Sequence, residues 1–176
     1  MAMWEDFEID CTSYLNSKFG AYAYFTHQGG PDSTVPDILV QTNSDKSFYI
    51  DAKHSPAQCG QFVLLPNIES GTFEYSKQNV TQINKYAHRI IEYMNDDFDK
   101  FRNAGTTGRD IDMPNGSSTF SNWIIQAYQE KDVMFFITNN YTILPVERFQ
   151  EYFDVSAKYR LNEAAPVLLA KAASPL

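Results

Sequence analysis

Cysteine is scarce in this sequence, with only Cys11 and Cys59 among its 176 residues. Two thiols so far apart provide neither a disulfide framework nor the closely spaced ligand pairs of a structural zinc site. The first residues lack the basic start and apolar run of a signal peptide, and no apolar run is long enough to span a bilayer. We therefore expect a cytoplasmic protein that does not act at a membrane.

Basic residues are also few relative to acidic ones, with 14 Lys and Arg, 22 Asp and Glu, and a formal net charge of -8. Proteins that coat nucleic acid without selectivity neutralise its phosphates with Lys and Arg, so this balance argues against that class and leaves room only for a local basic cleft. No internal repeat or linker divides the sequence. Its length predicts one domain over residues 1–176.

The most informative stretch is a predicted hairpin. Strand-forming residues occupy 36–42 and 47–53, and turn-forming residues occupy 43–46. Because side chains alternate along a strand, Asp51 and Lys53 share one face, and Asp37 joins them if the register places it opposite Asp51. Two carboxylates and one ammonium then converge. Carboxylate oxygens suit a hard cation such as Mg²⁺, and the chemistry that such a site indicates is phosphodiester hydrolysis.

Hydrophobic periodicity predicts the other elements. Helices are expected at Met3 to Phe19, Val80 to Phe101, Thr119 to Tyr128 and Pro145 to Phe153, a first strand at Tyr22 to His27, and a second hairpin at residues 133–144 around Asn139-Asn140. The polar residues from 54 to 61 are expected to be irregular, and residues 104–118 to form a long loop. This order of elements predicts an α/β fold with a mixed central β-sheet flanked by helices.

Glu8 is the unexpected residue of the first predicted helix. At about 100° per residue it falls inside the apolar arc, between Leu15 and Phe19. An unpaired buried carboxylate is costly, so Glu8 is expected to have a partner such as a metal ion or a lysine. The alternative is that Glu8 lies at the edge of the stripe and reaches water.

The hairpin resembles the PD-(D/E)xK nuclease superfamily, which has the restriction-endonuclease-like fold. The matching residues are Pro36-Asp37 and Asp51-Ala52-Lys53. The resemblance implies an Mg²⁺-dependent phosphodiesterase acting on DNA, with Mn²⁺ able to substitute. It assigns catalysis to Asp37, Asp51 and Lys53, and metal binding to Asp37, Asp51, the carbonyl of Ala52 and an acid on the first helix, which is Glu8 or, as second choice, Glu5.

A second Pro-Asp pair leaves the first metal ligand open between Asp32 and Asp37. Asp37 is favoured because it begins the apolar run Ile38-Leu39-Val40. Asp32 lies among Gly and Ser residues, where aspartate is a common turn residue.

Contacts with nucleic acid are expected from the polar face of the long predicted helix and from the long loop. The residues predicted to make them are Gln82, Lys85, Tyr86, Arg89 and Arg109. Gln82 and Tyr86 also fit the Gln-x-x-x-Tyr element of the RecB-like branch of the resembled superfamily. The alternative is that this helix face is only solvated.

Together these features predict a metal-dependent deoxyribonuclease. An endonuclease is favoured over an exonuclease, with a restriction-type enzyme as one option, and the subtype is left open. A homodimer would match the two-fold symmetry of a duplex cut on both strands. The rival interpretation is a non-catalytic acidic interaction protein that retains the nuclease-like fold, because fold alone does not establish activity.

Overall fold

The computed structural model describes residues 3–30, 35–54, 58–161 and 166–172. Its contacts divide the chain into two compact units. Unit 1 comprises Met1–Ser55 and Tyr128–Phe149, and unit 2 comprises Pro56–Ala127 and Gln150–Leu176. The single domain over residues 1–176 stays a prediction.

The secondary structure alternates helices and strands. The helices are α1 (Met3–Phe19), α2 (Lys85–Asp96), α3 (Phe98–Arg102), α4 (Gly116–Gln129) and α5 (Phe149–Tyr152). The strands are β1 (Ala23–His27), β2 (Ile38–Thr42), β3 (Ser47–Lys53), β4 (Gln58–Asn67), β5 (Thr72–Tyr75), β6 (Arg109–Asp110), β7 (Val133–Thr138), β8 (Thr142–Pro145), β9 (Val155–Leu161) and β10 (Pro166–Ala172). Short 3₁₀ turns occupy Asn139–Tyr141 and Val146–Arg148.

Unit 1 is built on a mixed five-stranded sheet in the order β1-β2-β3-β7-β8. The β3–β7 pair is parallel and the other pairs are antiparallel. The prediction of a mixed α/β fold is therefore confirmed. Strand β3 lies in the middle of this sheet, so hydrogen bonds on both sides hold the residues that it carries.

Helix α1 packs its apolar face against this sheet, as the sequence predicts. The shared core contains Cys11, Leu15, Ala23, Phe25, Ile38, Val40, Ile50, Ala52 and Ile137. Trp4 and Phe19, which the pattern places on the same face, are 47% and 39% exposed because they lie at the two ends of the helix. Burial of the central residues, each worth roughly 1.5–3 kcal/mol for a large side chain, fixes α1 over β1, β2 and β3.

Unit 2 contains an antiparallel five-stranded sheet in the order β5-β4-β10-β9-β6. Trp123 of α4 packs on Phe62 of β4, with ring centroids 5.1 Å apart. A Cβ atom at Gly60 would lie only 2.6 Å from the Trp123 ring. Glycine is thus required where β4 passes beneath this indole.

The prediction of one long helix from Val80 to Phe101 is wrong in two respects. The helix starts later, and it is interrupted at Asp97. It begins at Lys85, after Asn84, and Val80 and Ile83 are 64% and 40% exposed. The Asn84 side chain accepts hydrogen bonds from the backbone N–H groups of Tyr86 and Ala87. Asn84 itself has an extended backbone, so it is the N-cap and the helix begins after it. Asp97, with φ -133° and ψ 54°, then separates α2 from α3.

Three other boundaries also differ from the sequence prediction. Strand β4 begins at Gln58, inside the segment expected to be irregular, because Phe62 and Leu64 of that strand are buried in unit 2. The expected loop at 104–118 contains β6 and the first turn of α4. The helix expected from Pro145 is a strand end, a 3₁₀ turn and the single turn of α5.

In the parts of the chain that the structure describes, no helix has both the length and the apolar character needed to cross a membrane.

Replacing the α2 cap tests the corrected helix start. We expect Asn84→Ala to lower the free energy of unfolding by about 1–2 kcal/mol, because two N–H groups lose their acceptor in a buried position. Asn84→Ser keeps an acceptor and should recover most of the loss. Denaturant unfolding measures both. Equal stability of Asn84→Ala and the wild type would mean that α2 starts elsewhere.

Candidate active site

The β2–β3 hairpin brings the predicted catalytic residues to one end of its two strands. Ile38, the first residue of β2, pairs with Ile50, so Asp37 lies at the end of β3 that carries Asp51. Alternation along β3 puts Lys53 on the same face as Asp51. The hairpin and the grouping of these three residues thus follow the arrangement that the sequence predicts.

Asp37 is anchored through both its main chain and its side chain. Its carbonyl oxygen accepts hydrogen bonds from the N–H groups of Gln28 at 2.7 Å and Gly29 at 3.1 Å. Its Oδ2 accepts the N–H of Ala52 at 2.7 Å. These contacts tie the residue before β2 to the chain after β1 and to the end of β3, so the carboxylate has little freedom to turn away from Asp51.

Lys53 is paired with Asp51. Its Nζ lies 2.5 Å from Asp51 Oδ2, and the two side chains are 19% and 7% exposed. Burial by itself would lower the pKa of Lys53, but the Asp51 carboxylate, Tyr128 and Asp37 raise it, and the net pKa lies well above its ordinary value. The lysine is therefore a permanent cation at neutral pH, as the sequence predicts, and an electrostatic role suits it better than that of a free-amine base.

At Asp37, the effects that disfavour the charged form outweigh the attraction of Lys53. Burial, and then the negative charge of Asp51, raise the pKa of Asp37 from 3.8 to about 8, while Lys53 lowers it and Glu8 raises it further. In the metal-free protein the Asp37 carboxyl therefore holds a proton near neutral pH. The attraction of Lys53 is thus outweighed at Asp37 by burial and by the charge of Asp51.

Glu8 is buried at 7% exposure, which confirms that it belongs to the inward face of α1. The partner found for it in the structure is His27, whose Nε2 lies 3.0 Å from Glu8 Oε2. A Cβ atom at Gly29 would lie 2.1 Å from that oxygen and 2.8 Å from His27 Nε2, so a larger residue there would displace the pair. Glu8 is close enough to Asp37 for its charge to affect the pKa of Asp37.

Three other groups were predicted as metal ligands or as alternatives, namely Asp32, Glu5 and the carbonyl of Ala52. Asp32, the alternative to Asp37, lies outside the described residues. Glu5 is half-buried one turn before Glu8. The N–H of Ala52 is engaged by Asp37, and the role predicted for its carbonyl stays a prediction.

The residues predicted to contact nucleic acid lie in unit 2, on separate elements. Lys85, Tyr86 and Arg89 are on α2, whereas Gln82 precedes that helix and Arg109 is on β6. Gln82 and Tyr86 therefore do not share a helix, and the Gln-x-x-x-Tyr interpretation loses its structural basis. Lys85, Arg89, Gln82 and Arg109 are exposed. Their role in binding stays a prediction.

Two residues that contact the site were not predicted from the sequence. Tyr128, from the last turn of α4, presents its ring to Lys53, and His27, from the end of β1, holds Glu8. Neither belongs to a local motif with the residue that it contacts. For His27, the sequence signal was the predicted inward position of Glu8, because a buried carboxylate needs a partner from a neighbouring element.

The donor chemistry at this end of the hairpin fits Mg²⁺. Among the described residues, no three His, Cys, Asp or Glu side chains form a ready metal cluster. Mg²⁺ commonly takes only one or two carboxylates and completes its octahedron with water and substrate oxygens. Asp37 and Asp51 match that requirement, and a divalent cation would offset the burial and the repulsion by Asp51 that together raise the pKa of Asp37.

Removing the charge of Asp37 should stabilise the metal-free protein. The unfolded chain loses this proton near pH 3.8 and the folded chain near pH 8, so its stabilising contribution is complete below pH 3.8 and is lost as pH rises towards 8. In EDTA at pH 8 we expect Asp37→Asn to be more stable than wild type by roughly 2–4 kcal/mol, and this advantage should shrink at pH 5.

Denaturant unfolding at both pH values measures this difference. Asp45→Asn, an exposed change in the turn of the same hairpin, should stay within about 0.5 kcal/mol of wild type. An Asp37→Asn variant less stable than wild type at pH 8 would show that attraction by Lys53 outweighs burial and the repulsion by Asp51.

One of three comparisons with known proteins found a similar protein, and it supports the fold. No protein-family model and no curated protein matches the sequence. Among solved structures, the chain is similar to HhaI endonuclease in complex with DNA, with 31% sequence identity and a TM-score of 0.83. The match covers 99% of this chain and 88% of that chain, so it includes both units and the hairpin that carries Asp37, Asp51 and Lys53. The chain belongs to the PD-(D/E)xK nuclease superfamily, with the restriction-endonuclease-like fold.

Proposed function

We propose that this protein is a divalent-metal-dependent DNA endonuclease of the restriction type. The observation that carries the proposal is the placement of Asp37 and Asp51 side by side at the end of the hairpin, with the Lys53 ammonium 2.5 Å from Asp51. DNA is proposed as substrate because the similar solved structure is an endonuclease in complex with DNA.

The residues proposed to hold Mg²⁺ are Asp37 and Asp51, with the carbonyl of Ala52 and Glu8 as further candidates, and Mn²⁺ is expected to substitute. Bound there, the ion supplies a Lewis acid that lowers the pKa of water and withdraws charge from a phosphate oxygen. Asp37 must lose its proton to act as a ligand. Binding of the ion and release of that proton are therefore coupled, and metal affinity should increase with pH up to about 8.

Lys53 is proposed to stabilise the negative charge that develops on the phosphate during attack. Its pKa lies well above the ordinary value, so it remains charged throughout the working pH range. A fixed cation in a poorly solvated position interacts more strongly with developing charge than the same cation in water. Lys53 is also proposed to orient the attacking water.

Because the net charge is -8, the Lys and Arg residues that attract DNA must be clustered at the binding surface. Lys85, Arg89 and Arg109 are exposed and are proposed as phosphate contacts, with Gln82 and Tyr86 as neighbouring polar contacts. Lys85 lies over the Tyr86 ring, with its Nζ 5.0 Å from the centroid. A cytoplasmic location and a homodimer that cuts both strands are part of the same proposal.

A plasmid cleavage assay with matched variants tests this function. We expect wild-type protein to cut supercoiled DNA with Mg²⁺ or Mn²⁺ and to stop in EDTA. Asp51→Asn and Lys53→Met should lower the cleavage rate at least about 100-fold, because each removes charge at the reacting phosphate. Asp45→Asn and Lys46→Met make the same chemical changes in the exposed turn and should stay within about threefold of wild type.

Two outcomes would contradict the enzyme proposal. One is wild-type protein that cuts neither plasmid nor single-stranded DNA with either metal. The other is cleavage by Asp51→Asn and Lys53→Met at the wild-type rate. A tight, metal-independent complex with another protein would then support the non-catalytic interpretation.

A further inference from the structure

A column of aromatic rings stands on the Asp51 side of the unit 1 sheet. Phe136 of β7 is in register with Asp51 of β3, and it is 1% exposed. The Tyr128 ring packs edge-on against Phe136, with centroids 4.8 Å apart and planes at 76°. Phe136 in turn packs on Phe149, at 5.4 Å. A ring supported by buried neighbours in this way keeps its position, because close-packed interiors leave it no space to move.

The face of the Tyr128 ring is directed at the lysine of the candidate site. Lys53 Nζ lies 5.5 Å from the ring centroid, within the roughly 6 Å at which an ammonium is attracted to an aromatic face. Among the described residues, two groups therefore hold Lys53, and we call them its tethers. One is the Asp51 carboxylate at 2.5 Å, and the other is the Tyr128 ring.

The two tethers respond differently to a divalent cation. Under the proposed function, Asp51 is also a metal ligand, so a bound ion competes with Lys53 for the same carboxylate and repels its charge. A released lysine side chain has several flexible torsions and would occupy many positions. The Tyr128 ring is not a metal ligand, so its attraction for the ammonium persists when the ion is bound.

We propose that Tyr128 is a positioning residue that keeps the Lys53 ammonium at the site when a divalent cation occupies Asp37 and Asp51. This inference rests on the proposed metal-dependent function. It assigns a role to a side chain that contacts Lys53 from a different element, outside the hairpin that carries the motif.

Cleavage kinetics separate the ring from the hydroxyl group. Tyr128→Phe keeps the aromatic face and should retain kcat within about threefold, whereas Tyr128→Leu removes it and should lower kcat about tenfold. KM should stay within about threefold in both, because the proposed phosphate contacts Lys85, Arg89 and Arg109 are unchanged. Tyr128→Met fills the space without an aromatic face, and it replaces the leucine variant if that variant fails to unfold cooperatively.

Chemical labelling of Lys53 gives a readout that needs no cleavage. Each protein is treated with an amine-acylating reagent at one pH in Ca²⁺, and the modified peptides are quantified by mass spectrometry, with exposed Lys46 as internal reference. We expect Lys53 to react several-fold faster in Tyr128→Leu than in wild type or Tyr128→Phe, because the ammonium is no longer held against the ring.

Either of two results would overturn the role of Tyr128. One is labelling and kcat in Tyr128→Leu that equal those of the wild type. The other is a Tyr128→Phe variant as impaired as Tyr128→Leu, which would assign the effect to the hydroxyl group. Failure of the wild type to cut DNA would refute the nuclease proposal alone, because the labelling comparison in Ca²⁺ still tests the contact between Tyr128 and Lys53.

Discussion

Repulsion between two carboxylates held side by side is the constraint on which the rest of this structure depends. Asp37 and Asp51 are placed together by the backbone, in a position where burial and mutual repulsion raise the pKa of Asp37 to about 8. A fold selected only for stability would separate or neutralise them. The structure instead holds Asp37 by hydrogen bonds from Gln28, Gly29 and Ala52, so the unfavourable arrangement is maintained by the surrounding chain.

The surrounding elements keep this arrangement fixed in different ways. Strand β3 is bonded on one side to β2 and on the other to the parallel strand β7, which fixes Asp51. Helix α1 covers the apolar face of the sheet and delivers Glu8, which His27 holds near Asp37. The Tyr128 ring contacts Lys53 from the end of α4. The rigid sheet therefore carries the carboxylates, and side chains from other elements orient the groups around them.

Local patterns predicted those parts of the fold that local interactions determine. The hairpin, the span of α1 and the inward position of Glu8 all follow from periodicity and turn residues, and the structure has them. The start of α2 was misplaced because Val80 and Ile83 have helical spacing but are exposed, and the Asn84 cap decides the boundary. The contacts of Tyr128 and His27 join residues far apart in sequence, so no local pattern encodes them.

Diffraction from crystals grown with Mn²⁺ would show whether Asp37 and Asp51 hold the metal ion, because the anomalous signal locates the ion independently of any activity. We expect a peak within coordination distance of carboxylate oxygens of both Asp37 and Asp51 at a pH above about 8, where Asp37 has lost its proton. The same peak should be absent from Asp51→Asn crystals. A Mn²⁺ peak elsewhere, or no peak at these two carboxylates under those conditions, would show that Asp37 and Asp51 are not the metal ligands.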